Sequence, residues 1–421
     1  MAIVATSVEE VCREAKRASR VLAALPRATK DAALQAIAAA LRDATEEILD
    51  ANRSDLAAAR EAGLSDALLD RLALDERRIE AMAAGASAIA ALEDPVGELL
   101  EEQVRPNGLR IRKLRVPLGV VAVVYEARPN VTIDAAALCL KSGNAVVLRG
   151  SSSAARSNAV LAAVAARAAE SAGVPEGAIS ILTGGAREEL AELATQTRYV
   201  DLIIPRGGEG LKAALLEHAT VPVIYAASGN CHVYVDAAAD LEQAQAIALN
   251  AKVQRPGVCN AAETLLVHRD VAATFLPAAL SALRDAGVEL RGDERARECS
   301  GGVELAAATE ADWDTEYLAL TLAVGVVDSL DAAIEHIAAH GTGHSETIVT
   351  TDAAAARRFQ SDIDAACVYV NASTRFTDGA EFGMGAEIGN STQKLHARGP
   401  IGLRELCAGK YLIEGDGHVR S

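Results

Sequence analysis

Residues 118–150 read LGVVAVVYEARPNVTIDAAALCLKSGNAVVLRG. Two short runs of small and β-branched apolar residues, VVAVVY and AVVLR, enclose a stretch with apolar residues at helical spacing. Strand, helix and strand within about thirty residues is the signature of a right-handed crossover between parallel strands. Because both runs are apolar almost without interruption, the sheet they enter is covered on both faces. The same alternation continues outward. AISILT (178–183), VDLIIPRGG (200–208) and VPVIYA (221–226) read as further strands, with Ala-rich helical stretches at 152–172, 187–197 and 208–218 between them. A second series follows: HVYVD (232–236), ETLLVHR (263–269), VELRG (288–292), LALTLAVGVV (318–327), ETIVT (346–350) and ACVYVN (366–371). The change of series near 228–231 marks the expected domain boundary. The fold class is α/β, with two parallel-sheet domains.

The first hundred residues carry helical periodicity instead. Ser7 with Glu10 has capping-box spacing for a helix running toward Leu25, and further helices are expected over 30–62 and 66–92. RPNGLRIRKLRVP (105–117) alternates apolar and basic residues after an Asn-Gly turn, so it reads as an exposed ribbon. AGKYLIEGDGH (408–418) is an isolated strand that is expected to pair with that ribbon.

Composition removes several functions. With 58 acidic against 41 basic residues the net charge is −17, which argues against a polyanion as the main partner. No apolar run reaches the length of a membrane span. The opening MAIVATSVEEVCREAKRASR has mixed charges and no apolar core of a secretory signal. Seven cysteines, none in a CxxC, fit no disulfide framework or zinc ribbon and favour a reducing, cytoplasmic setting. No HExxH or Cys/His ligand cluster is present, so no metal is expected; His336 and His340 share a helical face but make only two ligands.

Cys259 stands apart by context. It lies in Gln254-Arg-Pro-Gly-Val-Cys259-Asn, a loop bent by Pro256 and Gly257 between a helical stretch and a strand. Arg255 is placed to favour a thiolate, and backbone N–H groups of such a loop can bind an oxyanion. A buried structural thiol is the other reading of the same residues. No GxGxxG follows a strand. Two strand-to-helix transitions, VLRGSS (147–152) and IIPRGGEG (203–210), can bring backbone N–H groups to a phosphate, and Arg149 with Ser151 and Ser152 suits a phosphate monoester on a ribose. Ordinary turn chemistry explains both equally well. FGMGAEIG (382–389) is a third Gly-rich loop without a specific meaning of its own.

Taken in order, these segments resemble the aldehyde dehydrogenase superfamily. SGNAVVLRGSS (142–152) is similar to its Lys-Pro-Ser-Glu segment, with Arg149 and Ser152 in the Lys and Glu positions. VDLIIPRGGEG (200–210) is similar to its Phe-Thr-Gly-Ser turn, RPGVCNA (255–261) to its Gly-Gln-x-Cys loop, and TEYLALTL (315–322) to its Glu-x-Phe-Gly-Pro-Val segment. Nearly the whole chain more closely resembles the glutamate-5-semialdehyde dehydrogenase family, through YEARPNVTIDAAALCLKSGNAVVLRG (125–150), NAKVQRPGVCNAAETLLVH (250–268), VDSLDAAIEHIAAHGTGHSETI (327–348) and FGMGAEIGNSTQKLHARGPIGLRELCAGKY (382–411).

The resemblance implies an aldehyde-dehydrogenase-like fold. Residues 1–104 and 119–228 would form the cofactor-binding domain, and 229–395 the catalytic domain with the nucleophilic Cys. Residues 105–118 and 406–421 would form a small β oligomerisation ribbon. It implies NADPH-dependent reduction of L-glutamyl 5-phosphate to L-glutamate 5-semialdehyde with release of phosphate, through a thioester on Cys259, in L-proline biosynthesis. The alternative is a CoA-acylating or other non-hydrolysing aldehyde dehydrogenase. Asn130 and the Cys259 N–H would stabilise the oxyanion. Arg149, Ser151, Ser152, Gly207, Gly208 and Glu316 would hold NADPH/NADP⁺, and Arg128, Arg255, Arg375, Lys394 and Arg398 the substrate's anionic groups. A homo-oligomer, dimer or higher, is expected, with functional pairing to glutamate 5-kinase and with neither nucleic acid nor membrane as partner. One departure carries chemistry: where the superfamily has Glu-Leu-Gly-Gly, this chain has Ala227-Ser-Gly-Asn230, without the water-activating carboxylate. Such a site favours phosphate over water as the acceptor.

Overall fold

A computed structural model describes residues 7–183, 186–226 and 228–420, the Ala67 side chain excepted. Residues 1–6 and Ala227, both of which bear on the sequence reading, lie outside the described residues. Packing divides the chain into two units: residues 1–225 with 383–389 and 401–421, and residues 226–382 with 390–400.

The first unit begins with helices. Ser7 is extended and its hydroxyl accepts the Glu10 N–H at 3.2 Å, so the cap read from the sequence starts the Val8–Leu22 helix. The expected 30–62 and 66–92 helices are each two. Arg27–Asp43 and Thr45–Glu61 part at Ala44. Asp66–Leu72 and Glu76–Ala91 part where the Asp75 carboxylate caps the second by accepting the Arg78 N–H at 2.6 Å. Periodicity carries through such breaks, since the apolar stripe continues after the backbone has turned.

The sheet of this unit has four parallel strands in the order Ile179–Leu182, Ala145–Arg149, Val120–Tyr125, Leu202–Arg206. VVAVVY and AVVLR are buried at every position, as unbroken apolar runs require. The expected strand at 221–226 reduces to one bridge between Ile203 and Val223, since Pro222 has no N–H to extend a ladder. Asn144 stabilises the edge from which the two central strands start. Its buried side chain accepts the Gly119 N–H at 2.8 Å and donates to the Leu406 carbonyl at 2.8 Å.

A separate antiparallel sheet joins Arg110–Pro117 to Cys407–Glu414, from Pro117 opposite Cys407 to Arg110 opposite Glu414. This is the pairing expected of the ribbon and the C-terminal strand. A third strand, Leu99–Val104, pairs on the other side of Arg110–Pro117 and falls outside the expected ribbon. Its sequence, LLEEQV, has no period-two pattern, and its side chains are almost all exposed.

The second unit holds seven parallel strands in the order Ala306–Ala307, Glu289–Gly292, Thr321–Val327, Ala262–His268, Cys231–Val235, Ser345–Val349, Cys367–Val370. Six of these match the second series in the sequence; the two-residue Ala306–Ala307 strand does not appear there. Cys231–Val235 and Ala262–His268 are adjacent, so residues just ahead of each are brought side by side at one edge of the sheet. Residues 383–389 of the third Gly-rich loop pack in the first unit, where Gly385 lies against Leu92 and Gly389 against Arg206.

Replacing Asn144 with Ala strands the part-buried Gly119 N–H and the buried Leu406 carbonyl, at up to about 1–3 kcal/mol for each group left unpaired. A lower midpoint in urea unfolding followed by circular dichroism is the expected result.

Candidate active site

Cys259 sits on the loop between the Leu241–Val253 helix and the Ala262–His268 strand, partly exposed. Asp240 caps that helix by accepting the Glu242 and Gln243 N–H groups. Beyond Val253, Pro256 and Gly257 prevent the helix from continuing. The next residue after the thiol is buried and fastens the loop: the Asn260 amide donates to the Thr377 carbonyl at 2.9 Å, and the Thr374 hydroxyl donates to the Asn260 carbonyl at 2.7 Å. These bonds bring the Thr374–Phe376 turn against the loop. Arg375 then donates from Nε to Gln254 Oε1 at 2.8 Å.

Two further segments close on Cys259. The buried Cys231 thiol donates to its carbonyl at 3.2 Å. Gly229 approaches so closely that a Cβ there would stand 1.8 Å from the Cys259 carbonyl oxygen and 2.6 Å from its Cα. Only glycine fits. Glu316 secures that glycine by accepting its N–H on Oε1 at 2.7 Å.

The electrostatics follow. Burial, and then the positive charge of Arg255, draw the Arg375 guanidinium below its ordinary value, while Cys259 and Asp378 act in the opposite sense. Arg375 therefore lies within electrostatic reach of both Arg255 and Cys259, a setting for an anionic reactant. Beneath the loop, Lys252 and Glu263 form a fully buried pair, Nζ to Oε2 at 2.5 Å. Burial pushes Glu263 up to about 7 and pulls Lys252 down. Cys12, Cys139, Cys231 and Cys407 are all held protonated by burial.

Of the sequence candidates, the second unit brings together Cys259, Arg255, Arg375 and Glu316. Lys394 and Arg398 instead share Asp364, at 2.5 Å and 2.8 Å, on a surface turn. In the first unit the Asn130 amide begins the Asn130–Lys141 helix and donates to Asp134 Oδ2 at 3.0 Å. Arg128 lies half-buried just ahead of that helix.

Arg149 is nearly buried, donating to the Ala186 carbonyl at 2.9 Å with Glu189 at 3.6 Å. Ser151 and Ser152 line a small cleft with Gly150, Asn158, Ile181 and Thr183, at the carboxyl ends of two parallel strands, where α/β sheets hold ligands. The buried Asn158 amide nitrogen has no hydrogen-bond partner among the described residues, so the cleft offers a donor and hydroxyls that fit a ribose and its phosphate. Gly208 caps the Glu209–Leu216 helix, and its N–H is taken by the Glu126 carboxylate at 3.1 Å. Gly207 has no room for a side chain beside Glu126 and Leu211. His336 is packed between Trp313, His232 and His340, and burial draws it down to about 3, which keeps it neutral.

Sequence reasoning missed Gly229, Cys231, Lys252 and Glu263. Gly229 belongs to the Ala227–Asn230 segment, and Lys252 and Glu263 to the Cys259 segment, but nothing in spacing shows a close approach or a buried ion pair.

The model of the aldehyde dehydrogenase family matches residues 2–299. The chain belongs to that family. It is 57% identical over 417 residues to the gamma-glutamyl phosphate reductase of Moorella thermoacetica, covering 99% of each chain. It is 56% identical over 413 residues to that of Thermobifida fusca, covering 98% of each. The crystal structure of gamma-glutamyl phosphate reductase from Thermotoga maritima superposes with a TM-score of 0.96 at 47% identity, over 99% of this chain and 100% of that one. Within the family the chain therefore groups with the gamma-glutamyl phosphate reductases, oxidoreductases of proline biosynthesis. An acetylating aldehyde dehydrogenase from Geobacillus thermoglucosidasius shares the fold, with a TM-score of 0.71 at 20% identity, over 98% of this chain and 97% of that one.

Gly229→Ala should displace the Cys259 loop. Misplacing a reacting group by an ångström can cost about 10²-fold, so kcat is expected to fall by about that factor in steady-state assays while the far-UV spectrum is unchanged.

Proposed function

We propose that the protein reduces L-glutamyl 5-phosphate to L-glutamate 5-semialdehyde with release of phosphate, and that Cys259 is the nucleophile. The observation that carries this reading is the partly exposed Cys259 thiol on a loop closed by Gly229, with the Arg375 guanidinium within electrostatic reach of both Cys259 and Arg255. The Cys259 thiolate attacks the acyl carbon, the carbon–oxygen bond to phosphate breaks, and a thioester remains. Covalent capture divides one difficult reduction into two easier steps. Arg255 and Arg375 offset the charge on the departing phosphate, and Arg128 is the proposed partner of the substrate's carboxylate; Lys394 and Arg398, engaged on Asp364, are the other candidates. The Cys259 N–H is the proposed oxyanion donor, and the second N–H of the Asn130 amide is the other.

NADPH, when bound, supplies the hydride that reduces the thioester. Ser151, Ser152 and Arg149 would hold its adenosine end. Gly207 and Gly208 are retained as candidates for its phosphates and Glu316 for its nicotinamide ribose. After reduction the thiohemiacetal collapses, releasing the semialdehyde and the thiol. Ser228, Gly229 and Asn230 offer no carboxylate to activate water. Asn230 spends its amide on the Trp313 and His340 carbonyls, at 2.5 Å and 2.8 Å. Both features support a thioester that survives until phosphate or reductant reaches it.

The test runs the reaction backward. NADP⁺ reduction with glutamate semialdehyde should require phosphate, should not respond to CoA, and should vanish in Cys259→Ser while NADPH binding persists. CoA-dependent turnover would instead establish the acylating alternative, and full activity in Cys259→Ser would sink the mechanism.

The exposed apolar residues Tyr411 and Ile413 of the ribbon, with Leu99 and Val104 of the strand paired beside it, support a self-association surface. We further propose a homo-oligomer built through it and a functional pairing with the kinase that makes the labile acyl phosphate. Deleting 408–421 should reduce the molar mass measured by light scattering; an unchanged mass would count against the ribbon.

A further inference from the structure

Lys252 stands seven residues before Cys259 and Glu263 four after it, so their buried ion pair closes the neck of the loop that carries the thiol. The backbone is shaped for this contact. Across the two adjacent strands Cys231 faces Ala262 and His232 faces Thr264, which leaves Glu263 as an extra residue with no partner. A bulge of this kind re-aims a side chain, and bulges gather beside active sites.

Glu263 uses its second oxygen as well. Oε1 accepts the Leu318 N–H at 3.3 Å, at a residue with φ of 53°, a conformation that a leucine holds only when its surroundings impose it. The preceding Tyr317 ring lies within 5.9 Å of Lys252 Nζ and 5.3 Å of the Arg291 guanidinium, and its hydroxyl donates to Asp312 at 2.8 Å. Glu316 comes next and holds the Gly229 N–H, with Gly229 against Cys259. The chain of contacts runs from Lys252 through Glu263, residues 316–318 and Gly229 to the thiol's own backbone.

The geometry points to Lys252 and Glu263 as positioning residues that hold residues 316–318, and through them Gly229 and Cys259, in reactive register. This inference rests on Cys259 being the nucleophile. The groups facing the Glu263 carboxyl are Lys252 from the helix, Glu316 and Tyr317 from the 315–318 segment, and Cys231 from the neighbouring strand. Burial raises the carboxyl to about 7 against the pull of Lys252. Above that pH Glu263 carries its charge beside Lys252. As pH falls through it, Glu263 takes up a proton, the ion pair is lost, and turnover should fall along an acid limb belonging to the pair.

The full-length double variant Lys252→Met/Glu263→Gln tests this. Removing both charges together avoids an uncompensated buried ion, and such replacements are often close to neutral for folding. The expected result is a folded enzyme whose kcat is down about 10–100-fold at pH 8, with KM for the acyl phosphate little changed and the acid limb gone. A double variant that keeps kcat, keeps the acid limb, or does not fold overturns the inference. Cys259→Ser is measured alongside. Turnover in that variant overturns the nucleophile reading; its inactivity supports that reading, and the double variant then bears on positioning alone.

Discussion

The backbone of Gly229 occupies the space where any side chain would strike the Cys259 carbonyl, and the rest of the site is arranged around that contact. Two adjacent parallel strands, Cys231–Val235 and Ala262–His268, begin at the same edge, so the segments entering them must run side by side. Strand spacing of about 4.8 Å leaves little between those segments. Glycine on one side lets the thiol-bearing loop on the other settle fully. Glu316 then holds the glycine, the Cys231 thiol holds the Cys259 carbonyl, and Asn260 stitches the loop to residues 374–377. The position of the Cys259 loop is thus defined by backbone packing as much as by side chains.

Charge follows the same logic. The protein carries a net −17, yet Arg375 lies within reach of both Arg255, whose charge disfavours its own, and the Cys259 thiol. Two cations so placed are costly unless an anion joins them, which is the situation an acyl phosphate would meet. Elsewhere the basic residues are neutralised locally: Lys394 and Arg398 by Asp364, Arg149 by Glu189, Lys252 by Glu263. Losing one partner of the last pair would leave a buried charge, at about 3–5 kcal/mol, so the interior under the loop tolerates the pair or neither member.

Much of the architecture was legible because burial writes itself into composition. VVAVVY and AVVLR can only be strands covered on both faces, and six of the seven strands of the second unit appear as apolar runs. Cys259 was legible because Pro256 and Gly257 break a helix where a loop is needed. The strand Leu99–Val104 was not, since an exposed edge strand such as LLEEQV imposes no pattern on its side chains. The breaks at Ala44 and 73–75 were hidden by a stripe that resumes in phase. Lys394 and Arg398 look like substrate anchors in sequence; their carboxylate partner, Asp364, lies thirty or more residues away along the chain. Lys252 and Glu263 read as ordinary charged positions until the register shift opposite Cys231 shows where Glu263 points.

The central claim is that Cys259 carries the acyl group between reduction and phosphate. The most direct measurement is a stopped-flow trace of NADPH formation on mixing the protein with glutamate semialdehyde and NADP⁺ in the absence of phosphate, followed by peptide mapping of the quenched protein. The account predicts a burst of one NADPH per competent site, an acyl adduct on the Cys259 peptide, and a stall that ends when phosphate is added. Continuous turnover without phosphate, or an adduct on any other residue, would contradict it.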